Sequence, residues 1–210
     1  MDEARFVALW QRLGGASEAH QVFQDLKALY DSPERHYHSS RHIQRCLEHY
    51  DEAASSLGAY AAVEMAIWCH DVVYQTGSAD NEEKSAKWVF ARADGVLDRS
   101  FIDEVSKIIL ATRHASAPAS FTEQFMVDVD LAGLGQSWEE FFRDTQDLKK
   151  ESPSKNEAAF FASQGRFLQQ LADRPFIFST SFFRDAFERS ARDNIARLIE
   201  QYSSSTDPSG

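Results

Sequence analysis

The dipeptide His70-Asp71 places an imidazole and a carboxylate side by side, at the end of an apolar run that begins at Ala66. Burying both groups without partners would be costly, because an unpaired buried charge is strongly disfavoured. A metal ion would satisfy both groups at once. The competing interpretation is a helix-end pair, in which the Asp binds a backbone or indole donor and the His is a hydrogen-bonded core residue. For an isolated pair the second interpretation is the more common one.

Two other segments carry residue types that could complete a metal site. Upstream, His36, His38 and His42 fall within seven residues of one another. Downstream, Asp128 and Asp130 lie in an apolar stretch. With the central pair, these segments form the pattern His…His-Asp…Asp, a set of nitrogen and oxygen ligands that suits a divalent transition metal.

The histidine-rich segment also contains a signal for the start of a helix. Ser39 and Ser40 are residue types that favour the N-cap position, so we expect the helix to begin at one of them. His42 would then lie in the first turn beside Ile43 and face the interior, which makes it the candidate ligand. His38 precedes the helix and is predicted to support a ligand or face a substrate. The other histidines of the amino-terminal quarter are interpreted as incidental polar residues: His20, His36 and His49.

The acidic segment contains two candidates that the pattern alone does not separate. Asp128 and Asp130 are one residue apart, so they point in different directions if the segment is a helix. One interpretation makes both surface carboxylates. Because their neighbours Phe125, Met126 and Val127 are apolar, we favour a buried carboxylate that is paired with another group.

Two glutamates follow the His-Asp pair after a short turn. Asp80 and Glu83 have the spacing of a capping box, in which each side chain binds a backbone N–H of the other residue. Glu82 does not have this capping role. We therefore expect Glu82 to be the catalytic carboxylate that orients an attacking water or accepts its proton.

The combined motifs resemble those of the HD-domain superfamily of metal-dependent phosphohydrolases, in particular a small bacterial branch, over about residues 20–200. Residues 37–43 resemble the Tyr-His-Asn-x-x-His-Ile opening of that branch, with Ser39 where Asn is common. Residues 68–74 resemble its Trp-Phe-His-Asp-x-x-Tyr segment. Three further blocks are similar to it: 80–86, 128–135 and 190–195.

The resemblance implies one divalent metal ion held by His42, His70, Asp71 and Asp130. Two neutral imidazoles and two carboxylates leave room for water in a five- or six-coordinate shell. Mn²⁺, Fe²⁺, Co²⁺, Ni²⁺, Zn²⁺ and Mg²⁺ are all compatible with this set, although imidazole ligands disfavour Mg²⁺ somewhat.

His114 has two interpretations. At the predicted end of a helix it could stabilise the helix dipole. The resemblance instead implies an extra histidine that serves a second metal or a phosphate, and His114 is a candidate catalytic residue on that basis. The candidates for binding the substrate phosphate are His38, Lys84 and Arg113, since the two basic side chains lie beside motif blocks.

The predicted function is hydrolysis of a phosphoester, in a nucleotide or similar small phosphorylated metabolite, by a metal-activated water. An alternative is a regulatory module that holds a metal and binds a nucleotide or phosphate without turnover. A purely structural helical scaffold is the third possibility, and it predicts that the purified protein contains no metal.

Composition excludes several other classes of protein. The 210 residues carry a formal net charge of −11, which argues against binding to nucleic-acid duplexes or anionic membranes. The first residues are acidic, and no apolar run approaches the ~18 residues that span a bilayer. Cys46 and Cys69 form no CxxC motif and are expected to be buried free thiols. We therefore expect a cytoplasmic protein, either a monomer or a homodimer.

Helical periodicity covers almost the whole chain, and this predicts a single all-α domain of nine to ten helices over residues 1–202. The resemblance implies that this domain is a helical bundle of the HD-domain type. The tail, residues 203–210, is rich in Ser and is predicted to be disordered. The predicted helices span about residues 2–13, 17–31, 39–57, 60–74, 81–93, 98–113, 121–133, 137–150, 155–172 and 181–202.

Overall fold

The computed structural model describes residues 1–152 and 156–203, and every regular element in these two ranges is a helix. This confirms the predicted all-α fold. Pro153 and residues 204–210 of the predicted tail lie outside the described residues. The helices are α1 (Glu3–Arg12), α2 (Ala19–Tyr30), α3 (Ser40–Leu57), α4 (Ala61–Cys69), α5 (Asn81–Ala93), α6 (Arg99–Ala111), α7 (Phe121–Leu131), α8 (Trp138–Glu151), α9 (Glu157–Ala172) and α10 (Ser181–Ser203), with a 3₁₀ helix (Ala132–Gly135) between α7 and α8.

Helix α4 is the centre of the bundle. All residues from Ala62 to Cys69 are buried, and the helix packs against α1, α3, α5, α6 and α7. This position agrees with its apolar character on every face. The one charged residue in the range, Glu64, accepts a 2.7 Å hydrogen bond from Nε of Arg5. Among the described residues, no helix has both the length and the apolar composition that a bilayer crossing requires.

Several helices begin at a residue whose side chain acts as an N-cap. The side chains of Asp98, Ser120, Ser137 and Asn156 each accept a hydrogen bond from a backbone N–H in the first turn of the following helix. The predicted capping box at Asp80 is wrong, because Asp80 makes no capping hydrogen bond at the start of α5. Its carboxylate instead binds Nζ of Lys84 at 2.8 Å and the hydroxyl of Ser78.

Helix α4 ends at Cys69 and not near residue 74 as predicted. Arg35 donates hydrogen bonds to the backbone carbonyls of Asp71 (2.6 Å) and Val72 (2.9 Å). The hydroxyl of Ser85 binds both the N–H and the carbonyl of Val73. These side chains replace the hydrogen bonds that a longer helix would make. As a result, His70 is the C-cap residue, and Asp71 lies beyond the helix end.

Helix α7 also ends early, at Leu131, and continues as the 3₁₀ helix. Gly135, the last residue of the 3₁₀ helix, lies directly against α10. A Cβ atom at this position would be 2.6 Å from Cβ of Phe187 and 2.8 Å from its carbonyl oxygen. Only glycine allows the backbone to approach this closely.

Asp128 connects α7 to the start of α10. Its carboxylate is fully buried and accepts three hydrogen bonds of 2.7 Å, from the N–H of Ser179 and from the N–H and hydroxyl of Thr180. The prediction of a buried, paired carboxylate in this segment is confirmed. The partners of Asp128 belong to the start of α10, so this residue has a structural role.

We expect Asp128→Ala to lower the free energy of unfolding by about 2–4 kcal/mol, because it leaves buried donors without an acceptor. Urea unfolding followed by circular dichroism measures the change. The control is Asp185→Ala, an exposed carboxylate in α10, which should change stability by no more than about 0.5 kcal/mol. Equal effects of the two substitutions would contradict the role of Asp128.

Candidate metal centre

Three helix ends bring the four predicted metal ligands together. His42 lies in the first turn of α3, His70 caps the end of α4, and Asp71 follows directly. Asp130 is in the last turn of α7. Both histidines are buried, and the two carboxylate side chains are only 13% and 14% exposed.

The ligating atoms of these residues point at a common centre. Nε2 of His42 is 3.2 Å from Nε2 of His70, 3.6 Å from Oδ2 of Asp71 and 3.2 Å from Oδ1 of Asp130. Nε2 of His70 is 3.1 Å and 3.4 Å from the same two oxygens. Ligands that each lie about 2.0–2.2 Å from one ion are separated by roughly 3.0–3.6 Å from their neighbours. The observed spacings therefore fit a single divalent ion.

The hydrogen bond at the other ring nitrogen of His70 fixes which nitrogen can bind a metal. Nδ1–H donates to the backbone carbonyl of Ile67 at 3.0 Å. Because a carbonyl can only accept, the neutral ring carries its proton on Nδ1 and presents the lone pair of Nε2 to the centre. Metal-binding histidines are commonly oriented by such a second hydrogen bond.

A buried thiol lies beside the cluster. Sγ of Cys46 is 3.6 Å from Nε2 of His42, and the described residues contain two overlapping groups that could hold a metal ion: His42 with His70 and Asp71, and His42 with Cys46 and Asp130. Burial raises the pKa of the Cys46 thiol well above its ordinary value. Since only the thiolate is a good ligand, the histidines and carboxylates form the better set.

The charges at the centre favour a cation. Burial lowers the pKa of His42, which keeps this imidazole neutral. Burial also opposes charge on His70, but Asp71 and Asp130 raise the pKa of His70 well above its ordinary value. Despite their own burial, the histidines hold the pKa values of Asp71 and Asp130 below the ordinary range. The site therefore has two ionised carboxylates, and binding a metal through His70 requires the loss of its proton.

Asp130 connects the cluster to His114. Its second oxygen, Oδ2, is 3.1 Å from Nε2 of His114. The backbone of His114 has a φ of 56°, a conformation that costs energy for a residue with a side chain and that is concentrated at functional sites. Nδ1 of His114 is buried and has no hydrogen-bond partner within the described residues. A histidine that only stabilised the helix dipole would not need this contact with Asp130.

A cavity of about 290 Å³ opens beside the cluster. Asp71 and Asp130 line it together with three of the predicted catalytic and substrate-binding residues, Glu82, His114 and Arg113. A fourth, His38, also lines it. A larger groove of about 730 Å³ lies between α9 and α10, but none of the four predicted metal ligands lines that groove, so the smaller cavity is the candidate active site.

Of the charged residues predicted to serve the site, the structure places some at the cavity and others away from it. Arg113 lies between the two glutamates, with Nε 3.6 Å from Glu82 and Nη1 3.2 Å from Glu83. Glu82 lines the cavity and Glu83 does not. Lys84 is not among the residues that line the cavity, and its ammonium group pairs with Asp80. The structure thus brings Glu82 and Arg113 to the cavity but not Lys84.

The structure reveals a buried glutamate that the sequence did not indicate. Oε1 of Glu151 accepts hydrogen bonds from three consecutive backbone N–H groups, those of His36 (2.7 Å), Tyr37 (2.7 Å) and His38 (3.0 Å). Oε2 is 2.6 Å from Nδ1 of His38. The ring of His38 also stacks on Tyr74, with 3.7 Å between the ring centroids. Glu151 thereby holds the segment before α3 and fixes the orientation of His38.

A second group missed by sequence reasoning is an ion-pair cluster beside the cavity. Asp144, in α8, lines the cavity and accepts hydrogen bonds from Arg41 (3.0 Å) and Arg45 (3.0 Å) of α3. No local signal marks Asp144 or Glu151, since an acidic residue in a polar helix is ordinarily exposed.

Comparison of the chain with protein-family models, with curated proteins and with solved structures finds no significant match in any of the three.

Proposed function

We propose that the chain is a metal-dependent phosphohydrolase that acts on the phosphoester of a nucleotide or similar small phosphorylated metabolite. The observation that carries this proposal is the cluster of His42, His70, Asp71 and Asp130, whose ligand atoms are spaced as around one ion and whose two carboxylates line a cavity. The motif resemblance to the HD-domain superfamily supports the same activity.

The four clustered residues would hold the ion. A divalent ion in such a site lowers the pKa of a coordinated water and polarises a phosphoryl oxygen. Glu82 lies on the cavity wall, where its carboxylate is placed to orient the attacking water and accept its proton. Arg113 pairs with Glu82 and thereby restrains the position of that carboxylate.

The two histidines that line the cavity are suited to proton transfer and phosphate binding. Nε2–H of His114 donates to Asp130, which leaves the lone pair of Nδ1 to accept a proton, either from the attacking water or from a protonated phosphoryl oxygen. Nδ1–H of His38 donates to Glu151, so Nε2 is the nitrogen left for the cavity. In both cases a carboxylate fixes the tautomer, as in many sites that use histidine as an acid or base.

The test is a hydrolysis assay of the purified protein with added Mn²⁺, Co²⁺, Ni²⁺ or Mg²⁺, against a generic phosphoester and a panel of nucleotides. We expect activity that depends on the metal and that falls by at least about 1000-fold in His70→Ala and Asp71→Ala, because each loses a ligand. The control is His20→Ala, an exposed histidine bound to Glu3, which should retain full activity.

Three outcomes separate the alternatives. Activity that survives substitution of His70 or Asp71 would contradict the metal mechanism. Tight nucleotide binding without turnover under any metal would favour the regulatory module. Elemental analysis that finds no metal in the protein after exposure to each ion would leave only a structural scaffold.

A further inference from the structure

We infer that the cavity selects a phosphomonoester, with a single phosphoryl group on an apolar body, over diphosphates and triphosphates. This inference rests on the proposed function, because it assumes that the cavity beside the metal ligands receives the substrate. It follows from the distribution of charge on the cavity walls, the buried and unpartnered Nδ1 of His114, and the apolar character of the remaining lining.

The cavity offers almost no positive charge beyond a bound metal. Arg113 is the one Lys or Arg among the described residues that line it. Its guanidinium is already engaged by Glu82, Glu83 and the carbonyl of Ala79, the last at 2.7 Å. Asp144 also lines the cavity, and its two arginine partners are held by that carboxylate.

Polyphosphates need more positive charge than this site supplies. Each additional phosphate brings further negative charge, and proteins that bind such groups use free guanidinium groups, ammonium groups or rows of backbone N–H groups. A second phosphate placed in this cavity would instead lie near Glu82 or Asp144 without a free cation. Repulsion between like charges makes that placement unfavourable.

The lone pair of Nδ1 of His114 can accept one hydrogen bond, from a protonated oxygen of a single phosphoryl group. Nδ1 of His114 is buried, lacks a partner within residues 1–152 and 156–203, and belongs to a ring that lines the cavity. A buried polar atom without a partner is costly. A phosphoryl group bound next to Asp130 would lie within reach of this ring, because Nε2 of the same ring contacts Asp130 at 3.1 Å.

The rest of the lining favours an apolar group. The volume of about 290 Å³ is at the lower limit of the roughly 300–1,000 Å³ of small-molecule sites, so it suits a body of about one ring. The apolar side chains that line it come from α8, α9 and the region where α7 meets the 3₁₀ helix: Leu131, Leu134, Phe141, Leu148 and Phe167.

The test measures binding to the full-length protein loaded with Mn²⁺, by isothermal titration calorimetry. The probes are inorganic phosphate, benzylphosphonate and methylenediphosphonate, none of which depends on turnover. We expect benzylphosphonate to bind at least about tenfold tighter than phosphate, since it buries an aromatic ring. Methylenediphosphonate should bind no tighter than phosphate. The metal content of the protein is measured after each titration, so that removal of Mn²⁺ by the diphosphonate is recognised.

Two substitutions on α9 test separately the effect of the apolar lining and the effect of the missing positive charge. Phe167→Gln should remove most of the advantage of benzylphosphonate and leave the affinity for phosphate unchanged. Gln164→Lys adds a cation to the cavity wall and should strengthen binding of methylenediphosphonate by about fivefold or more. The matched control is Gln170→Lys, an exposed position on the same helix that does not line the cavity.

The outcomes distinguish this inference from the proposed function. Tighter binding of methylenediphosphonate than of benzylphosphonate, or no binding of either, would overturn the inference. Hydrolysis of benzyl phosphate, ADP and ATP is measured in parallel. Preferential hydrolysis of ATP would overturn the inference but support the proposed function. The expected order of binding without hydrolysis of any ester would support the inference and contradict the function.

Discussion

The Asp130→Asn substitution is expected to abolish stable metal binding and to reduce metal-dependent hydrolysis by at least about 1000-fold, or about 4 kcal/mol of transition-state stabilisation. Oδ1 of Asp130 contacts both ligand histidines, and Oδ2 contacts His114. Asparagine keeps the shape of the side chain but removes the charge that balances the ion. We expect metal affinity to fall by more than about 100-fold. This is a larger loss than is usual when the altered group only orients a metal ligand and does not itself bind the metal.

Two measurements check this prediction without relying on activity. Elemental analysis after dialysis gives the metal content, which should fall from about one ion per chain to a trace. Thermal unfolding with and without metal gives the second measurement, because an ion at about 100 times its Kd stabilises the folded state by about 2.7 kcal/mol. That stabilisation should be absent in Asp130→Asn.

The matched control is Asp128→Asn, the same change two residues earlier in α7. Asp128 binds the start of α10, so its loss should lower stability while the metal content stays unchanged. Asp128→Asn should therefore lower stability and keep the metal, whereas Asp130→Asn should lose the metal together with the stabilisation that the metal gives. If Asp128→Asn loses the metal and Asp130→Asn keeps it, the assignment of the acidic ligand is wrong.

The Glu151→Ala substitution is expected to have the largest effect on stability, a loss of about 3–5 kcal/mol. It leaves three backbone N–H groups and Nδ1 of His38 without their shared acceptor. Such a loss is a large fraction of the roughly 5–15 kcal/mol that stabilises a typical domain. Urea unfolding measures it. The control is Glu157→Ala, an exposed partner of Lys149, which should cost less than about 1 kcal/mol.

The Glu151→Gln substitution separates the structural role from the orientation of His38. Glutamine retains one oxygen for the backbone N–H groups, so we expect a loss of only about 1–2 kcal/mol. Its amide no longer holds the proton of His38 on Nδ1. If His38 handles a proton in the reaction, the pH profile of kcat should shift in Glu151→Gln, although the protein is folded and retains its metal. An unchanged profile would limit Glu151 to holding the backbone.

Glu151 should also contribute to the acid sensitivity of the fold. Burial raises the pKa of its carboxyl group, but hydrogen bonds from His38 and the backbone outweigh this and hold the pKa below the ordinary value. A carboxyl group whose pKa is lower in the folded state stabilises the protein above its unfolded-state pKa, and this contribution is lost as the pH falls through the folded-state value. Between about pH 5 and about pH 3, the free energy of unfolding should therefore fall less for Glu151→Gln than for the wild-type protein.

The amino-acid sequence by itself determined the fold class and indicated the candidate metal ligands. Apolar periodicity specified the helices because a surface helix must repeat its buried face every 3.6 residues, and the buried helix α4 could be identified because it is apolar on all sides. His42 could be assigned to the first turn of α3 because Ser39 and Ser40 mark the helix start. These features depend on residues that are close together in the chain.

The tertiary structure decided where helices end and which acidic residues serve the site. Helix α4 stops at Cys69 because Arg35 and Ser85, from other parts of the chain, bind the backbone that follows it. Asp128 and Asp130 look alike in sequence and separate only because α10 packs beside one and the histidines beside the other.

Glu151 had no signal at all in the sequence, since its partners are 113 to 115 residues away. Hydrogen bonds between distant segments depend on how the helices pack, and local patterns of residues contain no record of that packing. The sequence therefore indicated which groups could bind a metal, and only the packing of the helices decided which carboxylates lie beside the two histidines, which one orients His38 and which charges surround the cavity.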